Sequence, residues 1–169
     1  MNALQRRKYI MGRLEEGAAP VSATVLAGEL SVSRQIIVGD VALLRAGGAH
    51  ITATPRGYVL ERPPEGHRFT VACRHTPEEM ARELEIMVDN GCTVENVIVE
   101  HSVYGQLVGQ LMLSSRYDVA EFIRKVSESG CKPLSDLTGG IHLHTLRCPD
   151  ESAFDRVTAE LRAAGYLLE

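Results

Sequence analysis

The tandem Pro63-Pro64 in "ERPPEGHR", residues 61–68, constrains this chain more than any other stretch. Two consecutive prolines favour an extended, semi-rigid connection and break helix around them, so the sequence is expected to divide here into two folded pieces. Charge divides at the same place. Residues 1–68 carry nine Lys/Arg against six Asp/Glu, net +3, whereas residues 69–169 carry nine against sixteen, net −7, giving the chain its −4. A small basic piece joined to a larger acidic one suits a nucleic-acid-binding module attached to a second function. The expected organisation is a first domain over residues 1–62, a linker over 63–68 and a second domain over 69–169.

At 44% hydrophobic residues, both pieces can bury a core. No apolar run approaches the ~18 residues of a membrane span, and "MNALQRRKYIMGRLEEG" lacks a signal-peptide core. The expectation is a cytoplasmic protein with no membrane partner. Cys73, Cys92, Cys131 and Cys148 are scattered without a C-x-x-C pair, and read as free thiols rather than a disulfide framework.

In the first piece, Leu4, Tyr9, Ile10 and Leu14 recur at helical spacing up to Gly17. Ser22 opens a second short helix, and Ser33 a third that carries Ile36, Ile37, Val41 and Leu44 and stops at Gly47-Gly48. "AHITATPRGYVLE" then alternates about Pro55-Arg56-Gly57 as a β-hairpin. Three helices and a terminal hairpin predict a winged helix-turn-helix with its third helix in the major groove of a double-stranded DNA operator. Ser33, Arg34 and Gln35, at the start of that helix, are placed to meet phosphates or base edges, and Arg56 at the wing tip to meet phosphate or minor groove. Arg6, Arg7 and Lys8 are expected to add backbone attraction. The alternative is a small helical domain that binds protein. Gly39 inside the third helix costs roughly 0.5–1 kcal/mol against alanine, which close packing or a bend would explain.

The second piece reads as strand, helix, strand, strand, helix, strand, helix. The first helix has Thr76 as N-cap, Pro77 at its first position and Glu79 completing a capping box. The order predicts an α+β fold: a ferredoxin-like β-α-β-β-α-β sandwich with an extra C-terminal helix and one open sheet face.

Two features of this piece point to chemistry. In "GGIHLHTLRC", His142 and His144 alternate with Ile141 and Leu143, so both imidazoles share one face of a strand. In the helix after Thr76, Glu83 lies about 60° from Met80 at 3.6 residues per turn, inside the apolar arc, while Glu78, Arg82, Glu85 and Asp89 gather on the opposite face. An inward carboxylate needs a partner. A divalent transition metal held by His75, Glu83, His142 and His144 supplies one, and the N/O donor set suits nickel, zinc, iron(II) or manganese. The competing reading is a strand with two solvent-facing histidines and Glu83 paired to an arginine such as Arg74. Cys73 is a weaker alternative ligand.

"SRQIIVGDVALLRAGG…RGYVL" in the first half, and "RHTPEEMARELEIMVDNG", "EHSVYGQL" and "GGIHLHTL" in the second, resemble the niacin-responsive transcriptional repressors, which join an N-terminal helix-turn-helix to a C-terminal three-histidine domain. The resemblance covers nearly the whole chain. It implies repression of NAD-biosynthesis or niacin-uptake genes, with nicotinic acid or nicotinamide as co-repressor, and a homodimer on paired half-sites. It matches the family's metal ligands to His75, Glu83, His142 and His144, and gives His101 a place in the effector pocket. A metal-sensing repressor would use the same four residues. A metal-dependent hydrolase would use Glu83 or Glu100 as base, though the chain carries no Ser-His-Asp set and no phosphate loop.

Overall fold

A computed structural model describes residues 2–17, 19–61 and 66–169. The chain forms two compact units, Met1–Pro63 and Pro64–Glu169. Pro63 and Pro64 themselves, the centre of the expected linker, lie outside the described residues.

In the first unit α1 (Ala3–Glu16), α2 (Ala23–Leu30) and α3 (Arg34–Ala46) precede a hairpin of β1 (Ile51–Thr54) and β2 (Gly57–Leu60). Each helix start has a local cause. Asn2 and Gln5 form a capping box, Ser22 accepts from the Val25 amide at 3.1 Å and Ser33 from the Ile36 amide at 3.3 Å. Ile10, Leu14, Leu26, Ile37 and Val41 form the core, with Ile51 and Tyr58 from the hairpin. Of the predicted core positions, Leu4 and Tyr9 are exposed, as is Ile36. Val21 bridges Tyr58 and adds a third strand segment to the wing. This explains Gly57: its φ is +141°, and a Cβ there would sit 2.5 Å from the Val21 backbone.

The basic cluster of α1 differs from expectation. Arg6 and Arg7 both ion-pair with Asp40 of α3, which is 3% exposed. They neutralise a buried acid and tie α1 to α3. Gly39 is exposed with nothing within 4 Å of an added Cβ, and α3 runs unbroken past it. Close packing is therefore excluded as its cause.

The second unit runs β3 (His67–Arg74), a 3-10 turn (Pro77–Glu79), α4 (Met80–Asp89), β4 (Thr93–His101), β5 (Gly105–Leu113), α5 (Arg116–Ser129), a second 3-10 turn (Leu134–Thr138), β6 (Ile141–Cys148) and α6 (Glu151–Ala163). This is the α+β arrangement expected, a β-α-β-β-α-β sandwich closed by an extra helix. Its antiparallel sheet has the order β3-β6-β4-β5, so the last strand lies inside and the first at an edge. Val71, Cys73, Val94, Leu146 and Cys148 face the helices, meeting Leu84, Met87, Val119, Val157 and Leu161. No described helix is long and apolar enough to cross a membrane.

Candidate metal centre

β6 alternates between exposed or half-buried residues and buried ones, with His142 and His144 on the buried side. The register sets Cys73 of β3 opposite His142, and Val71 of β3 and Val97 of β4 on either side of His144. His75 follows the last residue of β3. Glu83, in the first turn of α4, points down onto the same face and is 1% exposed.

Two glycines make the approach possible. Gly139 (φ +60°) ends the second 3-10 turn, and Gly140 (φ +92°) carries the chain into β6 so close to His75 that a Cβ would lie 2.5 Å from its carbonyl oxygen. Only a residue without a side chain fits that crossing.

The three imidazoles converge on one carboxylate. His75 Nε2 lies 2.7 Å from Glu83 Oε2, His142 Nε2 3.0 Å from Oε1 and His144 Nε2 3.3 Å from Oε2. All four residues are buried. The rings stand edge to face, and Tyr166 stacks edge-on against His75 at 5.7 Å. The expected alternative, Glu83 paired with Arg74 and histidines in solvent, is overturned: Arg74 is exposed and the histidines are not.

The proton inventory of the cluster is informative. Each Nδ1 faces a backbone carbonyl, that of Thr76, Gly140 or Asn96, at 2.7–2.8 Å. A carbonyl only accepts, so each Nδ1 carries the proton and each neutral ring turns a bare Nε2 lone pair inward. An ionised carboxylate also offers only lone pairs. Protons can reconcile the four groups, at the cost of burying several cations around one anion. So can one metal ion in place of the protons. Metal-bound histidines characteristically donate the other ring N–H to a carbonyl or carboxylate, as all three do here. The residues present therefore fit a divalent ion.

Electrostatics agree. Burial pushes the Glu83 carboxyl up, but when protons rather than a metal occupy the cluster, the His144 charge and the hydrogen bonds of His142, His144 and His75 outweigh it and hold Glu83 well below the usual carboxylate range. Burial lowers the His75 pKa, yet the Glu83 hydrogen bond and charge, with smaller help from Thr76 and Glu79, leave it above the ordinary imidazole value.

Because its pKa is raised above the ordinary imidazole value of about 6.5, the His75 proton still competes with a metal somewhat above that pH, and the competition fades as pH rises further. The metal-free fold loses the His75–Glu83 stabilisation as pH rises through that folded pKa, whereas the metal-bound fold needs no such proton. The rise in Tm on adding metal is accordingly expected to be larger at about pH 8 than at about pH 6, and calorimetry at the two pH values measures it.

Cys73 is nearer than the sequence reading allowed. Its thiol, with Glu83 and His142, forms a group whose donor atoms all lie within 4.8 Å of one another. Counting along β3 set it away from His75, but strand pairing sets it opposite His142. Burial, then the Glu83 charge and hydrogen bond, push the thiol strongly up, so it stays protonated in the metal-free protein.

His101 is not drawn into the cluster. It ends β4, and its Nδ1 accepts from the amides of Val103 and Tyr104 at 3.1 and 3.3 Å. In the first unit, Arg34 and Gln35 are exposed on the first turn of α3, and Ser33 is exposed with its oxygen engaged as the cap. Arg56 sits half-buried at the hairpin tip. Sequence reasoning missed Asp40. The projection that flags Glu83 flags it too, about 60° from Ile37 on the buried side of α3.

Residues 68–169 match the 3H domain, and residues 6–59 match an HTH domain. The chain is similar to the "Probable transcription repressor NiaR" of Thermotoga maritima, 46% identical over 165 residues that cover 98% of this chain and 94% of that protein. It is also similar to the "Transcription repressor NadR" of Bacillus subtilis, 39% identical over 168 residues, covering 97% and 93%.

Proposed function

The chain belongs to the niacin-responsive transcription repressor family, and on that premise we propose that it represses NAD-biosynthesis or niacin-uptake genes with nicotinic acid or nicotinamide as co-repressor beside a metal centre. It is a DNA-binding regulator rather than an enzyme, which removes the hydrolase reading. Cytoplasmic residence follows from action on DNA and is part of the proposal. So is the division at residues 63–68.

One observation carries the metal half: three Nε2 atoms meet one buried carboxylate while every Nδ1 is held by a carbonyl. His75, Glu83, His142 and His144 would hold the ion. When bound, it supplies positive charge, and coordination positions that a pyridine nitrogen or a carboxylate can take. Glu83 offsets part of that charge, and the three carbonyls fix the rings. At His101, acceptance by Nδ1 leaves the proton on Nε2, a donor suited to an effector carboxylate. On the DNA side, Arg34 and Gln35 are assigned to phosphates and base edges, Ser33 to a phosphate through its hydroxyl hydrogen, and Arg56 to the wing contact.

The burial of all four ligands favours a second reading, in which the ion itself is the signal. Both are tested by the affinity of the metal-loaded protein for promoter DNA of a niacin-related gene, followed by fluorescence anisotropy. The proposal expects nicotinic acid or nicotinamide to tighten binding by roughly 5–150-fold, the usual span of allosteric coupling. Tightening by metal alone, with no further effect of either pyridine, would establish the metal-sensing reading instead. No response to any of them would sink both.

A further inference from the structure

Cys73, Cys92 and Cys148 are all buried free thiols, but the first is placed differently from the other two. Cys92 and Cys148 hydrogen-bond each other within the helix-side core, where buried cysteines ordinarily act as small apolar residues. Cys73 instead donates its S–H to the Glu83 carboxylate. It shares the buried side of β3 with Val71, and the β3–β6 register sets it directly opposite His142. Its sulfur, a Glu83 carboxylate oxygen and a His142 ring nitrogen consequently all lie within 4.8 Å of one another. Two donors of one ion, each about 2.0–2.3 Å from it, stand at most about 4.6 Å apart. The three groups are thus already spaced almost as ligands of a single ion are.

We propose that Cys73 is a fifth ligand of the centre, its sulfur joining the donors of His75, Glu83, His142 and His144, and that it biases the site toward zinc and against manganese. The inference rests on the metal centre proposed above. As Cys73 coordinates, its S–H bond breaks, a sulfur lone pair goes to the ion and the proton leaves to water, with no change of oxidation state. Charge favours this step. A divalent ion among three neutral imidazoles and one carboxylate carries a net positive charge, and all of these side chains are buried. A thiolate from Cys73, itself 0% exposed, brings the centre to neutrality, and a buried net charge is costly. Softness sets the preference among ions. Thiolate suits zinc, whereas manganese is suited by carboxylate, carbonyl and water oxygens.

Cobalt(II), added to the chelator-treated full-length protein, is the probe. Its visible ligand-field bands report binding through any donor, and thiolate-to-cobalt charge transfer adds a strong near-ultraviolet band only where sulfur is bound. The wild type is expected to show both. Cys73→Ser is expected to keep the visible bands, lose the near-ultraviolet one and cut the preference for zinc over manganese, read by competition titration, at least ~10-fold. Cys131→Ser, at the exposed cysteine, should leave the spectrum unchanged. Bound cobalt without the charge-transfer band, or a band that survives Cys73→Ser, overturns the fifth ligand and leaves the four-residue centre standing. A protein that takes up neither cobalt nor zinc overturns both. Should Cys73→Ser fail to fold, Cys92→Ala/Cys131→Ser/Cys148→Ala decides: Cys73 is then the one thiol in the chain, so the band must persist, and its loss contradicts the proposal.

Discussion

Replacing Glu83 by glutamine is expected to weaken metal binding by on the order of 100-fold or more while leaving the metal-free protein, at about pH 8, as stable as the wild type or more so. The two effects have one origin. Glutamine keeps the size of the side chain but removes the anion from a donor set of three neutral imidazoles. It also brings an amide N–H2 among three bare Nε2 lone pairs, where the carboxylate has no hydrogen to offer. A site built for an ion thus loses the ion and gains hydrogen bonds. A network built only for stability would respond the other way, with a lower Tm and no metal affinity to lose. Calorimetry with and without chelator, and a competition titration for the metal, separate the two.

Substituting Gly140 by alanine is expected to cost about 2–4 kcal/mol of stability and to loosen metal binding at least ~10-fold. The residue has φ +92°, and the added methyl would lie 2.5 Å from the His75 carbonyl oxygen, a backbone atom that cannot rotate aside. Either the second 3-10 turn or the segment bearing His75 must move. Gly139→Ala, one residue earlier, is the control: its φ is +60° with nothing within 4 Å, so it should cost only about 1–2 kcal/mol and leave the metal affinity intact. Denaturant melts of both variants, with the same competition titration, give the comparison.

What the sequence made legible follows from range. His142 and His144 share a face because alternation is local to a strand, and Glu83 stands out because helical periodicity is local to α4. Capping at Thr76, Ser22 and Ser33 is equally local, and all three fall where expected. The insertion of β6 between β3 and β4 is not local. It puts Cys73 opposite His142 and the Asn96 carbonyl under His144, and no counting along one strand reveals either. The first unit shows the same limit in its charges. Arg6, Arg7 and Lys8 read as a patch for DNA because residues were counted by type. Only the packing of α1 on α3 shows that two of them serve Asp40.

The account turns on whether the buried cluster holds an ion, and metal content measures that directly. Elemental analysis of the purified protein, beside the double variant His142→Ala/His144→Ala, should find about one divalent transition metal ion per chain in the first and none in the second. Equal metal in both, or a metal-free wild type that takes up none of nickel, zinc, iron(II) or manganese on titration, would contradict it.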